Sequence, residues 1–253
     1  MPSLSLNHLE LFFIDRHSNE NNLTLLFVHG AGSSHTVWPE AICGISGTRA
    51  VALDLPGHGR SSPPGRRTID QYAIAVEEFT AALSLENVIL VGHSMGSAIA
   101  LTVASRAAVA LRGLVLLGAG PRMPVHDKVL RGATNAPDEV ADFVAALGLG
   151  QPSTELQEEI QRTMLATDTM TVFGDFLACN RFDLRPNLHA IDIPALIIAG
   201  EQDRLTPLRL TESLVAGLPQ AKFITLAETG HYAMLERTAE VRSLIADFAA
   251  GLA

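Results

Sequence analysis

The sequence predicts an α/β protein, with a mostly parallel, twisted sheet, helices on both faces and an inserted helical cap. Three observations predict it. Short apolar runs alternate with helical patterns through most of the 253 residues, as in a parallel sheet covered on both faces. One run, Val88 to Val91, passes directly into Gly92-His-Ser94-Met-Gly96 and then into a small-residue helix. The alternation stops between Pro121 and His189, where several helical patterns follow one another without a strand.

From the N-terminus, Leu9 to Asp15 alternates weakly and is followed by a polar turn over Ser18 to Asn22. Thr24 to Val28 is continuously apolar, which suits a strand buried on both faces. Ala50 to Leu53, Val88 to Val91, Leu114 to Leu117 and Ala195 to Ala199 share that character, and Phe223 to Leu226 is a shorter example. Ile69 to Leu83, Ser97 to Ala108, Pro207 to Leu218 and Ala239 to Ala249 read as helices. Val140, Phe143, Val144 and Leu147 lie at i, i+3, i+4 and i+7, just after the helix start Pro137-Asp138-Glu139. Ser153-Thr154-Glu155 begins another helix, and Thr169 to Cys179 reads as a third. An ordinary crossover would not use so many residues. Residues 121–189 are therefore assigned to a helical cap or lid, and residues 1–120 with 190–253 to the core.

Net charge is −9, with 47% hydrophobic and 18% charged residues. That balance argues against nucleic acid and against an anionic membrane as partner, because both select clustered Lys and Arg. Arg60 with Arg66 and Arg67 comes nearest to a basic cluster and reads as a solvated loop face. No apolar stretch approaches a membrane span, and the N-terminus lacks the pattern of a signal peptide. A cytoplasmic location is expected. Cys43 and Cys179 are expected as free thiols of a reducing compartment, with a disulfide left open. The oligomeric state is left unassigned.

The strand–Gly-x-Ser-x-Gly–helix context is what a nucleophile elbow needs: Ser94 stands on a sharp turn at the end of the sheet, with a helix N-terminus behind it. A serine at its free pKa needs a base, and the base needs an orienter. Both are expected just after strands, where sites form in parallel sheets. Asp203 follows Ala195 to Ala199, and His231 follows Phe223 to Leu226. The chain order Ser, Asp, His completes the pattern.

At these residues the chain resembles the α/β-hydrolase superfamily, of the small, capped, carboxylesterase-like serine hydrolase kind. Four motifs carry the resemblance: His29-Gly30-Ala31-Gly32, Asp54-Leu-Pro-Gly57-His58-Gly59-Arg-Ser61, Gly92-His-Ser94-Met-Gly96, and the segments around Asp203 and His231. It implies Ser94 as nucleophile, His231 as general base and Asp203 as its orienter. Glu201 is the competing acid; some relatives carry the acid after an earlier strand, here around Gly118 to Gly120, where no carboxylate stands. The oxyanion hole is expected from the backbone N–H of Met95 and of Ala31, with Gly32 as the alternative.

His29, His58 and His93 are expected to brace loops, as in similar proteins. His8, His17, His35, His126 and His189 are expected at the surface or in the cap, and Asp54 as loop architecture. No metal-ligand spacing and no dinucleotide fingerprint appear, so no metal and no cofactor are expected. The cap carries Met123, Val125, Val129, Phe143, Met164, Met170, Val172, Phe173 and Phe176, of which those not packing the cap suggest an apolar acyl or alcohol pocket. Arg122, Arg131, Arg162, Arg181 and Arg185 are read as solvated, with a carboxylate reader among them left open. The expected reaction is hydrolysis of a small to medium carboxylic ester. Alternatives are a carbon–carbon bond in a diketone, a thioester or a lactone under the same triad, or a non-catalytic receptor for a small molecule.

Overall fold

The computed structural model describes residues 3–6, 9–16 and 23–252. His8, His17 and the turn at 18–22 lie outside the described residues. Eight strands form one sheet: β1 (Ser3–Leu6), β2 (Leu9–Arg16), β3 (Leu23–Val28), β4 (Thr48–Leu53), β5 (Val88–His93), β6 (Leu111–Leu117), β7 (Ala195–Gly200) and β8 (Ala221–Leu226). Their order is β1-β2-β4-β3-β5-β6-β7-β8. β2 pairs antiparallel with β1 and β4, and the other pairings are parallel. β1 was not legible, since Ser-Leu-Ser-Leu offers only two apolar side chains.

The first helices are α1 (Glu40–Cys43), α2 (Ile69–Ala82) and α3 (Met95–Arg106). Between β6 and β7 stand α4 (Asp127–Gly132), α5 (Pro137–Gly148), α6 (Thr154–Ala166) and α7 (Thr169–Arg181). α8 (Leu208–Gly217), α9 (Ala233–Glu236) and α10 (Thr238–Ala250) complete the chain. The strand side chains alternate between faces, as the pleat requires. Leu26, Val28, Val88 and Leu90 join one apolar cluster with α2 and α3. Leu25, Phe27, Ile89 and Val91 join the other with α1 and α10. A third cluster, with Val129, Val140, Val144, Met164, Val172 and Phe176, is formed by the helices between β6 and β7.

The chain runs from β3 outward to β4, then crosses back to β5 on the other side of β3. Connections leave β3 and β5 in opposite directions, which opens a crevice beyond their carboxyl ends. There the backbone turns through Ser94 at φ 53, ψ −118, a conformation that costs about 1–3 kcal/mol for a residue with a Cβ. Several bonds hold it. The Ser94 N–H donates to the Leu117 carbonyl at 2.9 Å, and the buried Ser97 hydroxyl lies 2.8 and 2.9 Å from the Gly92 and Leu117 carbonyls. α3 therefore starts at Met95, two residues before the expected Ser97, because the Ser94 carbonyl already accepts from Ser97 and Ala98.

The loops around the crevice are braced by buried polar groups. Asp54, fully buried, accepts from the backbone N–H groups of His35 (2.7 Å) and Arg60 (2.9 Å) and lies 2.8 Å from His35 Nδ1. Burial alone would raise the Asp54 carboxyl, but these donors outweigh it and hold the group below the usual carboxylate range. His35 is thus half-buried and bonded rather than a surface residue, a correction with a simple cause: the strand-end carboxylate needed donors. Arg60 is exposed but stacks over the Phe12 ring at 4.2 Å, so it is more than a solvated face.

His29 Nε2 accepts from the Leu55 N–H at 3.0 Å, so its proton sits on Nδ1 and is donated to the Gly30 carbonyl at 2.8 Å. Burial, and then the charge of neighbouring His58, push His29 down from 6.5 to about 4. His58 faces an acceptor on each ring nitrogen, Pro56 O at 3.1 Å and Asp175 Oδ2 at 2.7 Å. Burial opposes its charge, but the Asp175 carboxylate outweighs burial, and His58 sits above the usual imidazole value.

Two measurements check this frame. A Cβ on Gly96 would stand 2.1 Å from the Val28 carbonyl oxygen and 2.7 Å from that of His29. Gly96→Ala therefore forces backbone apart and destabilises by about 3 kcal/mol or more in denaturant melts; a variant as stable as wild type would show that the crossing yields easily. The second is pH dependence. Between about 4 and 6.5 the unfolded chain binds a proton that folded His29 refuses, so stability falls as pH drops through that window, by on the order of 3 kcal/mol at its acid end. His93, lowered by burial and then by His231, acts in the same sense. His58, raised, adds stability that is present below 6.5 and lost as pH rises through its folded value. Melts from pH 4.5 to 6.5 should slope less in His29→Asn, and an equal slope would remove His29 as the cause.

Candidate active site

Ser94, Asp203 and His231 come from three different strand ends and meet at one crevice. Asp203 lies in the loop after β7, and His231 in the loop between β8 and α9. Asp203 Oδ2 lies 2.8 Å from His231 Nδ1. Its other oxygen accepts from the backbone N–H groups of Leu205 (2.9 Å) and Thr206 (2.7 Å). A carboxylate only accepts, so Nδ1 carries the proton of this bond, and Nε2 is left as the nitrogen that faces away from Asp203. His231 is itself fixed by its backbone, whose N–H donates to the Gly148 carbonyl at 2.7 Å.

Glu201 is exposed and makes no side-chain bond to His231 among the described residues. At Gly118, on the earlier strand end, a side chain has no room: its Cβ would stand 2.7 Å from His231 Cε1. The imidazole occupies the room a side chain would need. His93 donates from Nε2 to the His231 carbonyl at 3.1 Å, while its buried Nδ1 has no partner among the described residues.

Ser94 is partly exposed, and its hydroxyl makes no hydrogen bond among the described residues. The backbone N–H groups of Met95, at the start of α3, and of Ala31, in the loop after β3, are likewise unused among the described residues. Ala31 is aimed by its neighbour. The Gly30 carbonyl accepts from His29, and across a trans peptide the Ala31 N–H points the opposite way.

Gly30, Ala31, Ser94 and His231 line one cavity of about 340 Å³. Its walls are apolar and come from the β6–β7 helices (Met123, Val129, Phe143, Val144, Met164, Phe176) and from Leu205 and Leu210. Of the apolar residues expected in the cap, Met170 is instead 48% exposed. None of the five arginines singled out in the 121–189 segment lines the cavity; Arg204 and Arg209 do. Arg204 is used by the Ala146 and Leu149 carbonyls (2.6 and 3.0 Å), whereas Arg209 makes no ion pair among the described residues. Both follow Asp203 closely in sequence, so the strand-end rule that found the acid would also have found them.

Sequence reading also missed Asp175, a fully buried carboxylate on α7. Its signal was a single acid inside the otherwise weakly polar run from Thr171 to Cys179. Cys43 and Cys179 are both buried and unpaired. Among the described residues no three His, Cys, Asp or Glu are grouped to hold a metal ion, and no helix is long and apolar enough to cross a membrane.

A family model described as Alpha/beta hydrolase family matches residues 25–244. An AB hydrolase superfamily protein of Bacillus subtilis, YisY, is 30% identical over 242 residues, covering 88% of this chain and 90% of the relative. A 2-hydroxy-6-oxononadienedioate/2-hydroxy-6-oxononatrienedioate hydrolase of Paraburkholderia phymatum is 31% identical over 250 residues, covering 89% and 86%. Among solved structures, a thermophilic esterase superposes with a TM-score of 0.86 at 25% identity, covering 99% of this chain and 97% of the other. The enol-lactonase of Burkholderia xenovorans shares the fold with a TM-score of 0.89 at 22% identity, covering 98% and 100%. With its family match spanning the sheet from β3 to α10, the chain belongs to the alpha/beta hydrolase family.

Proposed function

We propose that the protein is a serine hydrolase that cleaves small to medium carboxylic esters through an acyl-enzyme. One observation carries the reading. A serine on a strained strand-to-helix turn shares an apolar cavity of about 340 Å³ with an imidazole whose other nitrogen is held by a buried carboxylate.

His231 Nε2 takes the Ser94 proton as Oγ attacks the ester carbonyl, then returns it to the alcohol that leaves. Asp203 keeps the imidazole in the tautomer that can do this and stabilises the imidazolium. The negative charge on the tetrahedral oxygen falls to the unused Ala31 and Met95 amides, the second reinforced by the N-terminus of α3. Water then repeats the cycle on the acyl-enzyme. The Ser94 hydroxyl reaches His231 by rotation about χ1 as substrate enters, since apo sites often hold these bonds open.

The four helices between β6 and β7 act as the cap, over residues 121–189, and choose the substrate. No cofactor takes part, and the partner is a small molecule. The two unpaired thiols suit a reducing compartment, so we place the protein in the cytoplasm.

A second reading keeps the triad and changes the bond, to a carbon–carbon bond of a diketone or to a lactone. Arg209 favours it: a guanidinium at the cavity with no carboxylate partner among the described residues suits a carboxylate-bearing substrate, and several relatives are named as hydrolases of a dienedioate.

A panel of p-nitrophenyl acyl esters, lactones and 2-hydroxy-6-oxo-dienedioates separates the readings by kcat/KM. Ser94→Ala should lower turnover by on the order of a thousand-fold or more with the fold intact, and a fluorophosphonate should label Ser94 in wild type but not in His231→Ala. A folded wild type with neither label nor turnover would leave a small-molecule receptor. Within the cavity, Phe143→Ala should shift preference toward longer acyl chains by about tenfold. An unchanged profile would place the acyl group elsewhere.

A further inference from the structure

We propose that Asp175, on α7, is a positioning residue that sets the oxyanion loop for the reaction: its carboxylate anchors the Gly32 N–H, in the peptide after the one that carries the Ala31 N–H, so the loop is held on both sides of Ala31 only while α7 is seated on the core. The inference rests on the serine-hydrolase reading for its catalytic consequence, though not for its geometry.

Asp175 is fully buried, and three donors from three core segments converge on it. The Gly32 N–H reaches Oδ2 at 2.9 Å, His58 Nε2 reaches the same oxygen at 2.7 Å, and the Tyr72 hydroxyl reaches Oδ1 at 2.5 Å. Tyr72 in turn accepts from the Arg66 N–H at 2.9 Å, so its proton is committed to Asp175. His58 has acceptors on both nitrogens, and an imidazolium facing a carboxylate satisfies every atom of the group. A buried carboxylate on an isolated apolar helix would be prohibitively costly; paired and triply bonded, it becomes an anchor that tolerates little displacement.

What it anchors is the loop beside Ser94. Ala31 lies between two fixed peptides. On one side the Gly30 carbonyl is held by His29 Nδ1, itself locked by the Leu55 N–H. On the other the Gly32 N–H is held by Asp175. The first bond pins the peptide that carries the Ala31 N–H, and the second pins the next peptide; the two planes meet at the Ala31 Cα, so the loop is held on both sides of Ala31 and the amide keeps its place at the cavity. The first pin belongs to the core. The second is carried by α7, whose neighbours Val172 and Phe176 pack with Val129, Val144 and Met164 around the cavity. Lifting the helices between β6 and β7 would release the Gly32 amide.

The test compares kcat with KM on the best p-nitrophenyl ester. Asp175→Ala removes the acceptor and should lower kcat about 10- to 100-fold, less than the full loss of an oxyanion donor, with KM within about twofold. Asp175→Asn, which keeps one oxygen for Gly32, should recover most of the loss. Phe79→Leu, in the core against Phe13 and away from the site, supplies a variant of matched melting temperature that keeps kcat. A folded Asp175→Ala with wild-type kcat, or one that loses no more than the matched core variant, overturns the proposal. If Asp175→Ala does not fold, amide NMR of ¹⁵N-glycine-labelled wild type decides: a downfield, exchange-protected Gly32 proton supports the anchor, and a coil-like, fast-exchanging one overturns it. Failure of the hydrolase reading would look different, as a wild type without ester turnover or Ser94 labelling.

Discussion

The crossing of α3 over β3 is the constraint on which the rest of the molecule depends. Gly96 lies so close to the Val28 and His29 carbonyls that no Cβ fits between them. That contact brings the start of the helix, Ser94 and the loop after β3 into one place, and it fixes the sharp turn at Ser94. The strain of that turn is stored where the sheet is stiffest. β3 and β5 are buried on both faces, so the backbone has nowhere to relax. A serine on a looser element would lose its aim through side-chain and backbone freedom.

Around this crossing the protein separates its polar groups by role. Buried charges that only hold loops are fully bonded, as Asp54 is to His35 and Arg60 and Asp175 is to Gly32, His58 and Tyr72. Among the described residues, the Ser94 hydroxyl and the amides of Ala31 and Met95, around the turn beside the cavity, make no such bond. Desolvated donors without partners are costly, so a site that keeps them open gains affinity for whatever brings an oxygen to them. The apolar walls sharpen this by lowering the local dielectric. Histidine illustrates the division. His29 is held neutral by its two bonds and by burial, the Asp175 carboxylate favours the charged form of His58, and His231 keeps one nitrogen without a partner among the described residues.

Much of this is legible in the sequence. The parallel strands were readable because burial on both faces leaves no polar alternation, and the elbow because glycine, serine and glycine at fixed spacing have few other uses between a strand and a helix. Asp203 and His231 were singled out because they follow strands, and their side chains meet at 2.8 Å. β1 was not legible, having two apolar residues and a place at the edge of the sheet. α4 and α9 escaped for a related reason, being one turn or little more and stabilised by what they pack against rather than by propensity. His35 looked like a surface residue because its partner, Asp54, is nineteen positions away, within a loop that sequence patterns do not resolve. The five arginines of the 121–189 segment were weighed for substrate recognition, yet the guanidiniums at the cavity come from the loop after β7 and the start of α8.

The sequence by itself determined the local geometry: which runs become strands, where the chain turns sharply, and which residue types sit at strand ends. These follow from hydrophobic period and from the steric limits of single residues, which act over a few positions. Only the tertiary structure decided who meets whom across long separations. Asp175 lies 143 residues from Gly32 and 103 from Tyr72, and no pattern in either segment announces the other. Such pairings are set by how an inserted set of helices docks on the sheet, through the summed packing of Val129, Val144, Met164 and Phe176. Each of those contacts is weak and unspecific alone, so the final register of buried donors and acceptors exists only once all of them have formed.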